Sequence, residues 1–145
     1  MRDLPRQLSV KALAELFEGR TRLVELLAEV ENPLEQAESV LAALSDEEKV
    51  EALRAHPAIG ARDLSPRSAA EQGTDSDPAI LSELAYLNQV YEEKFGFRFV
   101  VFVDGRPKRE ILAVLSERIA RTREEELDTG CSELVAIARD RWTRT

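Results

Sequence analysis

The sequence is poor in the side chains that do chemistry at neutral pH. It holds one histidine, one cysteine, one tryptophan and one methionine in 145 residues. A single cysteine excludes an internal disulfide. One histidine with one cysteine cannot supply the usual ligands of a zinc site. The aspartates and glutamates follow no calcium-loop spacing, and no glycine-rich phosphate loop of a standard kind occurs. Glycine and proline number six each, too few for an all-β chain with many turns. No run of about 20 apolar residues exists, so no segment reads as a membrane span. The stretch Met1-Arg2-Asp3-Leu4-Pro5 lacks the apolar core of a signal peptide, and Thr143-Arg144-Thr145 is not a peroxisomal address; the expectation is a cytoplasmic protein. Positive charge is scarce as well: 20 Lys and Arg face 28 Asp and Glu, a net charge of −8. That balance argues against nucleic-acid or anionic-membrane partners and leaves room for a few arginines in a local anion pocket.

What is present reads as helical. Length predicts one domain over 1–145 with a real core, and 43% hydrophobic with 33% charged residues is ordinary for a soluble helical protein. Leu13, Leu16 and Phe17 share a face of a first helix from Val10 to Phe17, with a break at Gly19. Leu23, Leu26, Leu27 and Val30 recur at helical spacing in a second. Asn32-Pro33 caps a third, with proline at its first position and Leu34, Ala37, Val40, Leu41 and Leu44 along it. Ser45 and Glu48 form a capping box for a fourth. Arg62 to Ser68 and Gly73 to Asp77 read as loops, with a short helix or turn opened by Ser68 between them. Asp77 caps a long helix from Pro78 to about Lys94, closed by Gly96. Phe97-Arg98-Phe99-Val100-Val101-Phe102-Val103 is rich in aromatic and β-branched residues and prefers an extended course. Asp104-Gly105 is a turn. Pro107 starts a helix carrying Ile111, Leu115 and Ile119, and Gly130 and Ser132 precede a last one with Leu134, Val135, Ala138 and Trp142. The expected fold class is all-α: a single compact bundle of about eight helices with one extended segment at about 97–103. Since one extended segment cannot make a sheet alone, it is either buried among helices or paired across a dimer.

The chemistry centres on Arg54-Ala55-His56-Pro57 and, twelve residues past the histidine, Ser68-Ala69-Ala70-Glu71-Gln72. His56 alone has an unperturbed pKa between pH 5 and 8. Pro57 steers the preceding residue away from the α region, so the fourth helix should stop at Ala55 with His56 extended at its mouth. The bland reading makes His56 a partner of the helix dipole. Ser68-x-x-Glu71 likewise matches a capping box, though a cap that aims oxygens and free N–H groups into a cleft is also an anion site. Cys131, read at a helix N-terminus, could have a lowered pKa and pair with histidine; a small buried thiol is the commoner case. Arg62 and Arg67 flank the Ser-Glu-Gln stretch, and Arg139 and Arg141 close the last helix.

Taken together, Arg54-Ala55-His56-Pro57-x-x-Gly60, Ser68-x-x-Glu71-Gln72, Tyr91-x-x-Lys94-Phe95-Gly96-Phe97-x-Phe99-Val100 and Ile137-Ala138-Arg139-x-Arg141 resemble the OHCU decarboxylases. These convert 2-oxo-4-hydroxy-4-carboxy-5-ureidoimidazoline (OHCU) to (S)-allantoin in urate breakdown. The resemblance spans nearly the whole chain. It implies an all-helical, cofactor-free and metal-free enzyme, usually a homodimer, acting on a small anionic ureidoimidazoline. It further implies that His56 and Glu71 are catalytic and that Pro57, Ser68, Gln72 and the main chain of the extended segment line the substrate, through Phe97, Arg98, Phe99, Val100 and Val101. An arginine near the end also serves the site, with Arg141 the closer match and Arg139 the reserve. The sequence departs from the family pattern at Ala58-Ile59, where an acidic residue and leucine are usual, and at Arg98, where proline is common. A hydrolase using His56 and Glu71 on a related ureide ring and a non-catalytic helical binding module are the other readings.

Overall fold

The computed structural model describes residues 2–58 and 77–144. Among them are seven helices and no strand: α1 Val10–Phe17, α2 Arg22–Leu27, α3 Pro33–Ala43, α4 Asp46–Ala55, α5 Pro78–Phe95, α6 Lys108–Ile119 and α7 Arg123–Arg144. The all-α class is as expected. The further short helix expected at Ser68 lies outside the described residues, as do the Ile59-Gly60 turn and both neighbouring loops.

Capping sets most helix starts. Ser9 and Thr21 accept from the backbone N–H of Ala12 and Val24. Ser45 and Glu48 close a reciprocal capping box on α4. Asp77 accepts from Ala79 N–H at the start of α5. Each side-chain oxygen answers one of the donors that a helix N-terminus leaves without an intrahelical partner. Asn32 departs from expectation: it precedes α3 in the left-handed region, φ 54, and makes no side-chain cap bond. Its own N–H donates instead to Arg6 O at 2.8 Å. The second helix also ends earlier than its apolar spacing predicts. Past Leu27 the N–H groups of Glu29 and Val30 reach back only three residues, to Leu26 and Leu27, so the chain has left the α-helical course before Val30.

The largest correction concerns α7. Gly130 does not precede this helix; the helix begins at Arg123 and runs through Gly130 without interruption. Thr122 and Glu125 make the start, with Glu125 Oε1 accepting from Thr122 N–H at 3.1 Å and Thr122 Oγ1 accepting from Glu125 N–H at 3.2 Å. This is a Thr-x-x-Glu capping box readable in the sequence. Gly130 is there for closeness: a Cβ would meet Leu53 Cδ2 at 3.2 Å. A bare backbone at Gly130 lets α4, with His56 at its end, pack tightly on α7.

Helix α7 is the organising element and packs against α1, α3 and α4, while α5 pairs with α6. Leu127, Cys131, Leu134, Ala138 and Arg141 are buried along it at steps of three and four, one stripe of the helix. The stripe begins apolar and ends on a guanidinium. Cys131, in mid-helix rather than at an N-terminus, is buried and its thiol is pushed up to about 11 by desolvation. At neutral pH it is a small core residue, not a thiolate, which removes the Cys-His reading.

The extended segment is buried among helices. Phe97, Phe99, Val100, Val101 and Val103 are buried, and Phe97 and Phe99 meet Tyr91 edge-on, with Phe95 tilted against it. With no neighbouring strand among the described residues, side chains satisfy its main chain. Arg118 Nη1 donates to Val100 O at 2.8 Å, and Arg106 donates to Phe102 O and Val103 O at 2.6 and 3.0 Å. Glu133 accepts from Phe102 N–H at 3.4 Å. Buried peptide groups need such partners, and arginine carries enough donors to bond several carbonyls at once.

Candidate active site

His56 is the C-cap of α4, with φ −79 and ψ 134, the extended conformation that Pro57 was expected to impose. Its side chain is buried, at 7% exposure, between α4, the C-terminal turn of α1, the end of α7 and the extended segment. Its Nδ1 is buried and has no hydrogen-bond partner among the described residues. Desolvation chiefly lowers its pKa, to about 4, with Arg141 and Arg98 adding in the same direction and Glu18 opposing them. The physical cause is plain: an imidazolium out of water beside two guanidiniums is penalised twice. At neutral pH His56 is therefore an uncharged acid/base group with a free ring nitrogen.

Two arginines fix this corner. Arg98, in the extended segment, donates from Nη1 to His56 O at 2.8 Å and to Arg54 O at 3.2 Å, and from Nε to Glu92 Oε1 at 3.2 Å. The side chain that breaks the family pattern is thus tied to the carbonyl end of α4. Arg54 returns the contact, donating to Gly96 O at 2.9 Å. The histidine and the extended segment are stitched together from both sides. Arg141 is 2% exposed. It donates from Nη1 to Leu16 O at 3.0 Å and pairs through Nη2 with Glu18 Oε1 at 3.1 Å. Arg139, two residues and so a little over half a turn earlier on α7, is engaged elsewhere, with Leu34 O at 2.8 Å and Glu35 O at 3.4 Å. Of the two candidate arginines, Arg141 is the one whose charge acts on the histidine.

Pro57 is half-buried directly after His56. The side chains of Phe97, Phe99, Val100 and Val101 point into the core, so main-chain groups are what this segment has to offer a ligand. Glu71, Ser68 and Gln72 lie outside the described residues. Glu18 was not singled out by sequence. Its signal is weak and local: a carboxylate directly before Gly19 at a helix end, where it takes the left-handed conformation, φ 65. No group of three or more His, Cys, Asp or Glu side chains that could hold a metal occurs among the described residues, and no helix there is long and apolar enough to cross a membrane.

The all-helical fold that carries this histidine has known counterparts. It superimposes on an OHCU decarboxylase solved in the presence of (S)-allantoin with TM-score 0.77, at 23% identity over 92% of this chain and 96% of the other. A second match, an (S)-allantoin synthase, gives TM-score 0.70 at 22% identity over 91% of this chain and 47% of that one. At these identities the likeness establishes the fold. The family assignment comes from sequence: the OHCU decarboxylase family model matches residues 2–143, and the chain belongs to that family. Among its relatives, the 2-oxo-4-hydroxy-4-carboxy-5-ureidoimidazoline decarboxylase of Halalkalicoccus jeotgali is 34% identical over 65% of this chain and 56% of its own length. The uric acid degradation bifunctional protein TTL of Arabidopsis thaliana is 36% identical over 61% of this chain and 30% of its own. The corresponding decarboxylase of Haloferax volcanii is 30% identical over 89% of this chain and 83% of its own. The chain thus spans about half the length of the Halalkalicoccus protein and under a third of the Arabidopsis one.

Proposed function

We propose that this protein is a carboxy-lyase that converts OHCU to (S)-allantoin in urate degradation, with residues 1–145 acting as one domain. The observation that carries the reading is His56: the sole histidine, neutral, buried, with Nδ1 unpartnered and two guanidiniums beside it. A cation pair around an uncharged acid/base group suits an anionic substrate that must exchange a proton. In this reading the Arg141 guanidinium faces the substrate carboxylate. Main-chain groups of Phe97 to Val101 form one wall, and Pro57 packs beside it. Glu71 shares the proton work, and Ser68 and Gln72 bond the ureido group and ring carbonyls.

The chemistry asks little of a prosthetic group. The bond between C4 and its carboxylate breaks, CO2 leaves, and the electron pair passes into the adjacent unsaturated ring. The ring nitrogen that receives the pair takes up a proton, the 4-hydroxyl gives up its proton to become the carbonyl, and a proton is added at C5. The substrate itself delocalises the charge, so neither metal nor organic cofactor is needed as an electron sink. Neutral His56 can take a proton at once. A substrate anion docked beside it offsets the arginines and raises its pKa, which makes the imidazolium a competent donor afterwards. Such acid/base work contributes roughly 10²- to 10⁴-fold. A homodimer and a cytoplasmic setting complete the proposal; the acidic surface implied by a net charge of −8 suits neither nucleic acid nor membrane.

The test follows stereochemistry and gas release together. Urate is converted in place by the upstream enzymes, because OHCU decays on its own, and the protein is added while circular dichroism and CO2 are recorded. Spontaneous decay protonates both faces and yields racemic allantoin. The expected result is faster CO2 release with a lasting (S)-allantoin signal, lost in a folded His56→Gln variant by at least about 10²-fold. Well-folded protein that changes neither readout rejects the decarboxylase and moves weight to a hydrolase or a binding module.

A further inference from the structure

We infer that Glu18 is a positioning residue of this site: its carboxylate holds the Arg141 guanidinium in place beside His56. The catalytic consequence rests on the decarboxylase reading, whereas the placement rests on geometry alone. Glu18 ends α1 with φ 65 and ψ 22, the left-handed region where a side chain is disfavoured and glycine is the usual occupant. The chain does have a glycine here, one position later. Gly19 is committed to another duty, since a Cβ there would meet the Ala55 Cβ at 3.1 Å, one residue before the histidine. The strained position is therefore occupied by a carboxylate, and that carboxylate meets Arg141 Nη2 at 3.1 Å with the two side chains 14% and 1% exposed. Leu16 O accepts from the same guanidinium at 3.0 Å. One helix turn thus grips Arg141 twice, through a side chain and a carbonyl.

Strain of this kind persists only where surrounding structure enforces it, and it gathers at working sites. Here it aims a charge. The charged groups facing His56 among the described residues are Arg141 from the end of α7, Arg98 from the extended segment and Glu18 from the end of α1. Glu18 is the one anion of the three. It locks a long, rotamer-rich side chain into one pose and moderates the positive field. A substrate carboxylate then meets a guanidinium already oriented, and little is left to reorganise during reaction. Removing the carboxylate leaves Arg141 charged and still bonded to Leu16 O, but without the ion pair that sets its pose. Anion binding then holds or tightens while turnover falls.

That split is what a merely structural residue would not produce, and Glu18→Gln and Glu18→Gly measure it in the intact chain. Glycine suits the backbone at this position, so the second variant keeps the fold secure. Both are expected to lower kcat by on the order of 10- to 100-fold, the range for a misplaced group, with KM unchanged or lower. Glu18→Asp should recover part of the loss. Because the chain has one histidine, NMR of its imidazole reads the local field directly, and the variants should protonate at lower pH than wild type. Wild-type kcat, KM and imidazole titration in folded Glu18→Gly would overturn the inference. Folded wild-type protein that fails to turn over OHCU retires the decarboxylase reading only. The imidazole titration then decides the placement of Glu18: a downward shift supports it, and no shift rejects it.

Discussion

Among the described residues two carboxylate–arginine clusters are buried, and they are built differently. Behind the extended segment, Glu126 is fully buried and accepts from Tyr91 OH at 2.7 Å, Arg118 Nε at 2.7 Å and Arg121 Nη1 at 2.9 Å. Arg118 also holds Val100 O and lies over the Phe99 ring at 4.6 Å. Burial and its bond to Glu126 push the Tyr91 hydroxyl far above its ordinary range, so it stays a donor. Tyr91, Arg118 and Glu126 sit in helices and Phe99 and Val100 in extended backbone, while Arg121 comes from the turn between α6 and α7. At the other end of the fold, Glu18 and Arg141 make one ion pair across a left-handed turn, beside an imidazole with an unpartnered nitrogen. Both clusters take charge out of water, so burial of charge alone does not mark a site. The first saturates its carboxylate and supports the segment. The second leaves a titratable group unsatisfied at an interface of four elements. The difference is one of purpose: the first fixes where the wall stands, and the second is where a proton can move.

Breaking the first cluster should cost stability above all. Glu126→Ala leaves Arg118 buried without its counter-charge, and removing one partner of a buried pair typically costs about 3–5 kcal/mol. Urea unfolding should show that loss, with Glu126→Gln milder because the amide still offers an acceptor to Tyr91. An Ala variant within 1 kcal/mol of wild type, a small effect on the scale of point mutations, would mean that Arg118 has another way to be satisfied.

The second cluster should announce itself through pH. His56 titrates at about 4 in the folded chain against 6.5 for an unperturbed imidazole. Between those values the unfolded state binds more protons, so stability rises with pH. The contribution is fully present above about pH 6.5 and is lost as pH falls toward and through 4. A displacement of that size corresponds to about 3 kcal/mol. Denaturation curves of wild type should therefore fall more steeply across that window than those of His56→Gln, which has no imidazole to protonate. Parallel curves would place His56 in a wetter and less charged setting.

Local chemistry made much of this architecture legible. Ser45-x-x-Glu48 and His56-Pro57 determine both ends of α4 through bonds and clashes within a few residues, so the extended histidine could be foreseen. The run from Phe97 to Val103 declared its course through side-chain type. Gly130 misled because glycine has two uses, breaking a helix or letting another come close, and only the facing Leu53 distinguishes them. Thr122-x-x-Glu125 carried the correct start all the same. Arg141 was reachable through the resemblance, and its place on the buried stripe of α7 gives a physical reason. Its pairing with Glu18 was not legible, since the partners lie at opposite ends of the chain and nothing in local spacing selects one acidic residue among 28. The same holds for Arg118 and the carbonyl of Val100.

The smallest effect belongs to the residue between the two clusters. Arg98 lies on the segment that the first cluster supports and touches the histidine that the second surrounds. Its Nη1 alone donates to the carbonyls of both His56 and Arg54, groups at a helix C-terminus that have no intrahelical donor. Its third bond, to Glu92, is half-exposed and counts for little in water. Arg98→Met should cost about 1–2 kcal/mol, the lower part of the range for bonds from a charged donor. It should also raise the His56 pKa, because one of the two cations that lower it is gone. Arg98→Lys separates the two roles: an ammonium keeps the charge but lacks the rigid planar group that sets Nη1 on both carbonyls while Nε holds Glu92. The lysine variant should titrate like wild type and unfold like the methionine variant. If instead lysine restores stability as well, charge at the end of α4 is all that matters there. The planar guanidinium would then have no part in joining the histidine to its wall, and proline, common at this position in the family, would be lost to this chain without a structural replacement.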